Sequence, residues 1–195
     1  MKLISKEKDY IPIAIGIKKT IHKEKKIPQR VFRKSFKYFL FITFEEIFMP
    51  LFFNNVKRYL RKKVENSFWI TVIDPDPKDY FESNFDFFGT IEFCISDTID
   101  DYLSALNDYP ASSPADALAH NSNILIFSSY QNNWAIYGDR ESDIAVCAFS
   151  DSEQMELFNS TYESGLLEGI KAASEYAYNE KEEIPFKNEF YNNYK

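Results

Sequence analysis

Residues 124–127 (ILIF) and 134–137 (WAIY) are apolar at every position. A strand sends successive side chains to opposite faces, so runs like these fold stably only in a sheet covered on both sides. They belong to a series of short β-rich runs after Asn66: FWITVID, then GTIEFCI beyond a long acidic aromatic loop, then NILIFSS, WAIYGD and DIAVCAF. Only YQNN and RES separate the last three, which predicts an antiparallel meander with tight connections. Ile124, Ile126, Trp134 and Ile136 alternate along it with Leu125, Phe127, Ala135 and Tyr137, so helices must supply the cover.

Helical periodicity supplies candidates. From Pro28 the apolar residues Phe32, Phe36, Phe39, Leu40, Phe44, Ile47 and Phe48 step by three or four, predicting a helix that Pro50 ends or kinks. A second helical pattern places Leu51, Phe52, Val56, Tyr59, Leu60 and Val64 on one face and Lys57, Arg58, Arg61, Lys62 and Lys63 on the others. Together these read as an amphipathic hairpin. Further on, Asp97 or Ser96 can cap a helix through Ile99, Tyr102, Leu103 and Leu106, and Ser113 with Pro114 can start a short one. Ser152 opens another, and a last one runs through Leu166, Leu167, Ile170, Ala173 and Tyr176 or Ala177. The expected fold is α+β, a mainly antiparallel sheet with an N-terminal helical hairpin and a C-terminal helix packed on it. With 195 residues, 45% of them hydrophobic, one domain over 1–195 is expected, divided into a basic helix-rich subregion 1–65 and an acidic sheet-centred subregion 66–195.

The charge division is steep. Up to Lys63 there are 17 basic residues against 5 acidic, and from Val64 onward 6 against 25. A strongly acidic region repels nucleic acid and draws basic proteins. An acidic half folded back on the basic half would explain the same asymmetry with no partner. The aromatics interleaved with the N-terminal cations have the pattern of a nucleic-acid site, but on a helix they form one stripe that the core consumes, which argues against that use. The stretch YFLFITFEEIFMPLFF is no membrane span: Glu45, Glu46 and Pro50 interrupt it, and its uncharged runs fall short of the roughly 17 to 25 residues required. MKLISKEKDYIP leaves no room for the apolar core of an export signal. With Cys94 and Cys147 forming no paired spacing, a reducing, cytoplasmic setting is expected.

Catalytic patterns are sparse. His22 and His120 are isolated, and a Cys94–His120 pair has no local support. Both cysteines read as small buried hydrophobes. The glycines at 16, 89, 138, 165 and 169 permit neither a dinucleotide fingerprint nor a P-loop. The acidic run from Asp74 to Asp86 lacks the glycine and terminal glutamate of a calcium loop and carries Pro75 and Pro77 where such a loop turns. No enzyme, metal or cofactor is expected.

One segment has the look of a known type. In NNWAIYGDRESDIAVCAF, the residues Trp134, Ile136, Tyr137, Gly138, Asp139, Arg140, Glu141, Ile144 and Ala145 resemble the tryptophan strand, charged turn and apolar strand of many bacterial immunity proteins of polymorphic toxin systems, including contact-dependent growth inhibition. Physically it is a hairpin in which Trp134 anchors the core, Gly138 and Asp139 allow the turn, and Arg140 can pair with Glu141 or Asp143. The resemblance implies an immunity protein whose partner is the C-terminal domain of a cognate toxin; the acidic half suits a basic, nuclease-type one. The expected contact residues are Asp74, Asp76, Asp79, Tyr80, Glu82 and Asp86 in the acidic aromatic loop and Asp97, Asp100 and Asp101 at the following helix cap. The alternative is a non-catalytic adaptor whose basic N-terminal region binds nucleic acid or an acidic partner.

Overall fold

The computed structural model describes residues 1–33, 35–162, 165–167, 169–176 and 183–195. Seven strands form one antiparallel sheet: β1 (Lys2–Leu3), β2 (Tyr38–Thr43), β3 (Ser67–Asp74), β4 (Thr90–Cys94), β5 (Ile124–Ser128), β6 (Trp134–Asp139) and β7 (Ile144–Phe149), in the order β1-β4-β3-β5-β6-β7-β2. The meander β5–β6–β7 pairs in register from Ile124↔Asp139 to Ser128↔Ala135 and from Trp134↔Phe149 to Asp139↔Ile144. The fold is therefore α+β, and the expected central strands all form.

Both faces are covered, as the apolar runs require. On one face Leu125, Phe127, Trp134, Ile136, Cys147 and Phe149 pack under α2 (Pro50–Lys63), α4 (Ile99–Asn107) and α5 (Ser152–Thr161). Tyr59 of α2 sits at the centre, edge-on to Trp134 at 5.7 Å, Phe149 at 6.1 Å and Phe158 at 5.3 Å. On the other face Ile126, Tyr137, Val146 and Ala148 pack under α1 (Glu7–Thr20), the segment 21–36, α6 (Gly169–Tyr176) and α7 (Glu183–Tyr194).

The N-terminal helical hairpin does not form. The middle of its first arm is the strand β2, paired along its whole length with β7, the end is the 3-10 turn Glu45–Phe48, and the helix that precedes both is α1. Residues 38–42 are apolar at every position, so they satisfy helical and strand periodicity equally; the open edge of β7 decides for the strand. Pro50 starts α2 and does not end a helix, since its missing N–H costs nothing in a first turn. Three other boundaries move. Thr98, and neither Asp97 nor Ser96, caps α4: its hydroxyl accepts the Asp101 N–H at 3.1 Å while the Asp101 carboxylate accepts the Thr98 N–H at 2.8 Å. Asp151 caps α5. Leu166 and Leu167 are extended along the outer edge of β2, the Leu167 N–H donating to the Phe41 carbonyl at 2.8 Å, before α6 begins; Ala177 lies outside the described residues.

Gly138 has a different task from the one expected. It pairs with Ala145 inside β6, and a Cβ there would lie 2.7 Å from Ile47 Cδ1 and 3.1 Å from the Phe44 ring, so the bare backbone admits the 3-10 turn Glu45–Phe48 onto the sheet. The hairpin turn is shaped instead by Asp139, whose Oδ1 accepts the N–H groups of Glu141 at 3.0 Å and Ser142 at 3.2 Å. Arg140 donates to the carbonyls of Ser122 and Ala119 and lies 4.8 Å from the centre of the Phe44 ring, clasping the 117–122 loop to the sheet.

Candidate functional site

The acidic aromatic loop is rigidly built. Asp76 closes its start, its Oδ1 accepting the N–H groups of Lys78 at 2.8 Å and Asp79 at 3.2 Å, and Pro77–Glu82 wind as a π-type turn into the short α3 (Ser83–Phe85). Phe81 turns inward against Phe87 and beneath Gly89, where a Cβ would stand 2.6 Å from the Phe81 ring and where φ is +53°. Glycine is needed there on both counts. Tyr80 donates its hydroxyl proton to Asp116 Oδ1 at 2.5 Å, tying the loop to the 114–116 turn; the bond raises the Tyr80 phenol, and Asp116 is held low by hydrogen bonds from Ser113 and Tyr80.

The basic region supplies the remaining ties. Lys26 Nζ meets Asp74 at 2.9 Å, Lys23 meets Asp76 at 3.4 Å, and Lys78 reaches back to Glu7 at 3.1 Å. Burial pushes Asp76 up, but its two backbone donors and Lys23 outweigh that and leave its carboxyl below the ordinary range. Lys26 is raised, first by its bond to Asp74 and also by the charges of Asp74, Asp139 and Glu141. At the helix cap, Asp97 accepts the amino group of Met1 at 2.7 Å and the Cys94 N–H at 2.7 Å, and its carbonyl accepts from Lys57. The acidic half does fold back on the basic half, and each such exposed or half-exposed pair contributes under about 1 kcal/mol.

The expected contact residues thus divide. Asp74, Asp76, Tyr80, Asp97 and Asp101 are engaged inside the molecule, whereas Asp79, Glu82, Asp86 and Asp100 form no ion pair among the described residues. Asp79, Asp86 and Asp100 are exposed, and Glu82 is partly so. The aromatics of the basic region go into the core: Phe32, Phe36, Phe41, Phe44, Phe52, Phe53 and Tyr59 are all buried. Cys147 is buried and its thiol pushed up by burial, while Cys94, expected inside, is exposed at the end of β4. Among the described residues no group of three or more His, Cys, Asp or Glu is arranged to hold a metal ion, and no helix is long and apolar enough to cross a membrane.

Two cavities touch these acids. One, of about 280 Å³, opens at the sheet end where Lys26, Asp74, Asn123, Asp139, Arg140 and Glu141 meet. Burial pushes the Asp139 carboxyl up to about 6, against the pull of its backbone donors. The other, also about 280 Å³, opens beside β1 and is lined mainly by apolar groups, among them Leu3, Phe85, Phe87, Ile91 and Tyr109, together with Asp108. Asp86 stands between two of its lining residues, and the Met1 that Asp97 binds is a third, so the loop and the helix-cap region meet here. Sequence reasoning passed over Asp108 and read Asp139 only as a turn residue, without its burial. Asp108 had a signal, an acid just past a helix end where a base is favoured; Asp139 had none, because its burial depends on the whole sheet end.

No family model, curated protein or solved structure matches the chain.

Proposed function

We propose that this chain is a non-enzymatic immunity protein that binds a cognate toxin domain, a basic nuclease-type one, and blocks its active site or substrate cleft. The observation that carries the reading is the set of carboxylates left over after internal pairing. Asp79, Glu82, Asp86 and Asp100 stand on a loop and helix end already fixed by capping bonds, ion pairs and the Tyr80–Asp116 bond. A carboxylate surface fixed in advance loses little entropy on binding and speeds capture of a basic partner. The hairpin that resembles the immunity type adds the toxin to this reading; charge alone adds only a basic protein.

The test is growth of bacteria producing the toxin-like C-terminal domain of the neighbouring gene, with and without this chain. Specific rescue and a complex that survives gel filtration are expected. No rescue and no complex overturns the reading, and salt-sensitive binding to mixed RNA or DNA would then favour the adaptor.

A further inference from the structure

We propose that the apolar cavity beside β1 is the anchor site for a single apolar side chain, Leu, Met or Phe, on a basic segment of a protein partner, with a flanking Lys or Arg side chain met by Asp108. This rests on the immunity reading for the identity of the partner and on the cavity alone for its chemistry.

The volume sets the class of occupant. An apolar cavity of about 150 Å³ holds a benzene ring, whereas sites for small ligands begin near 300 Å³. At about 280 Å³ the cavity has room for one large apolar side chain. Its mouth is apolar and open: Leu3 is 51% exposed and Tyr109 52%, among the most exposed large apolar residues of the described chain. Grouped at one opening, they mark an interaction surface where scattered singly they would not.

The charge around the mouth selects the flanks. Asp108 is the C-terminal cap of α4, beside the negative end of the helix, and α4 has no basic residue in its last turn. An acid there opposes the helix dipole, and the bond it accepts from the Ser104 hydroxyl is long, 3.5 Å, a small return for that position. The ammonium of Met1, which lines the mouth, is taken by Asp97 at 2.7 Å, and Asp108 has no cation in ion-pair distance among the described residues. The backbone beside both walls is also held in sparsely populated conformations: Asp86 has φ 58°, Ala111 51° and Ser112 60°. These residues adjoin the Phe85–Phe87 and Tyr109–Pro110 walls on either side of the opening.

Calorimetric titration of the full chain with three peptides tests this: Arg-Lys-Leu-Lys-Arg, the same with Ala at the centre, and Glu-Glu-Leu-Glu-Glu. Burying one leucine predicts binding of the first about ten- to thirty-fold tighter than the second, and no measurable binding of the third. Asp108→Lys, a surface change that leaves the core intact, is expected to weaken the first peptide at least ten-fold. Ala105→Leu, which fills the cavity from its α4 wall, is expected to abolish the preference for leucine over alanine while leaving the chain folded by circular dichroism. Equal binding of the leucine and alanine peptides, or unchanged binding by Asp108→Lys, overturns the proposal whatever Ala105→Leu does. The toxin experiment separates the two readings. Leucine-selective peptide binding without rescue leaves the anchor standing and removes the immunity assignment, and rescue by a chain with no leucine preference removes the anchor alone.

Discussion

The two cavities have the same volume and opposite fates. At the β3–β5–β6 end, Asp74, Asp139 and Glu141 gather around the ammonium of Lys26, so the molecule's own basic region supplies the cation. At the β1 end, Asp108 borders an apolar hollow; the ammonium of Met1, which also lines it, is held by Asp97, and Asp108 has no ion pair among the described residues. What distinguishes them is which acid the nearby cation takes: Lys26 pairs with Asp74, which lines its cavity, whereas the Met1 ammonium takes Asp97 and leaves Asp108. An acidic sequence therefore identifies a binding face only after the pairs made within the chain have been subtracted.

Each side of that contrast can be broken separately. The largest effect is expected at the unpaired end: Asp108→Lys should weaken the complex with the proposed toxin partner at least about ten-fold, as charge reversal at an interface does, with no loss of melting temperature. An unchanged dissociation constant would make the two ends equivalent. At the paired end, the folded Asp139 binds its proton up to about pH 6, above its ordinary value, so its contribution is full below about pH 4 and is lost as pH rises through 6. Asp139→Asn keeps an acceptor for both backbone donors, which meet the same oxygen, and should remove that fall, stabilising the chain by roughly 2 kcal/mol at pH 8 in urea titrations and by little at pH 4. Tyr80→Phe should cost at most about 1 kcal/mol and let the Asp116 carboxyl rise, visible in an NMR pH titration. Lys23→Ala and Lys26→Ala should each cost under about 1 kcal/mol, with the difference shrinking in high salt. Smallest and opposite in sign, Asp108→Asn should raise stability by about 0.3 kcal/mol by relieving the end of α4.

The sheet was legible because its central strands are apolar on both faces and joined by short turns, a pattern that Ile124–Tyr137 shares with few alternatives. The α2 stripe was legible for a similar reason, since Lys and Arg on the remaining faces fix the helical period. Residues 38–42 were not, because an unbroken apolar run has no period to read. Nor was α1, whose isoleucines at 11, 13, 15 and 17 alternate like a strand and surround a proline; it is helical because Ile13 and Ile17 share the face that packs on the sheet. The acidic loop was found from composition, but its division into spent and unspent carboxylates depends on where Lys23, Lys26 and the amino terminus arrive in three dimensions. Local sequence holds no record of that.

The placement of β2 at the edge beyond β7 has a consequence for synthesis. Its partner leaves the ribosome about a hundred residues after it, a delay of roughly 5 to 20 seconds at ordinary elongation rates. Through that interval the run from Tyr38 to Phe53 has neither its neighbouring strand nor the sheet that α2 covers, so the most aromatic part of the chain is the part kept waiting. The edge of the sheet beyond β7 can close only after residue 149 has been made, so the aromatic run is completed last although it is synthesised early.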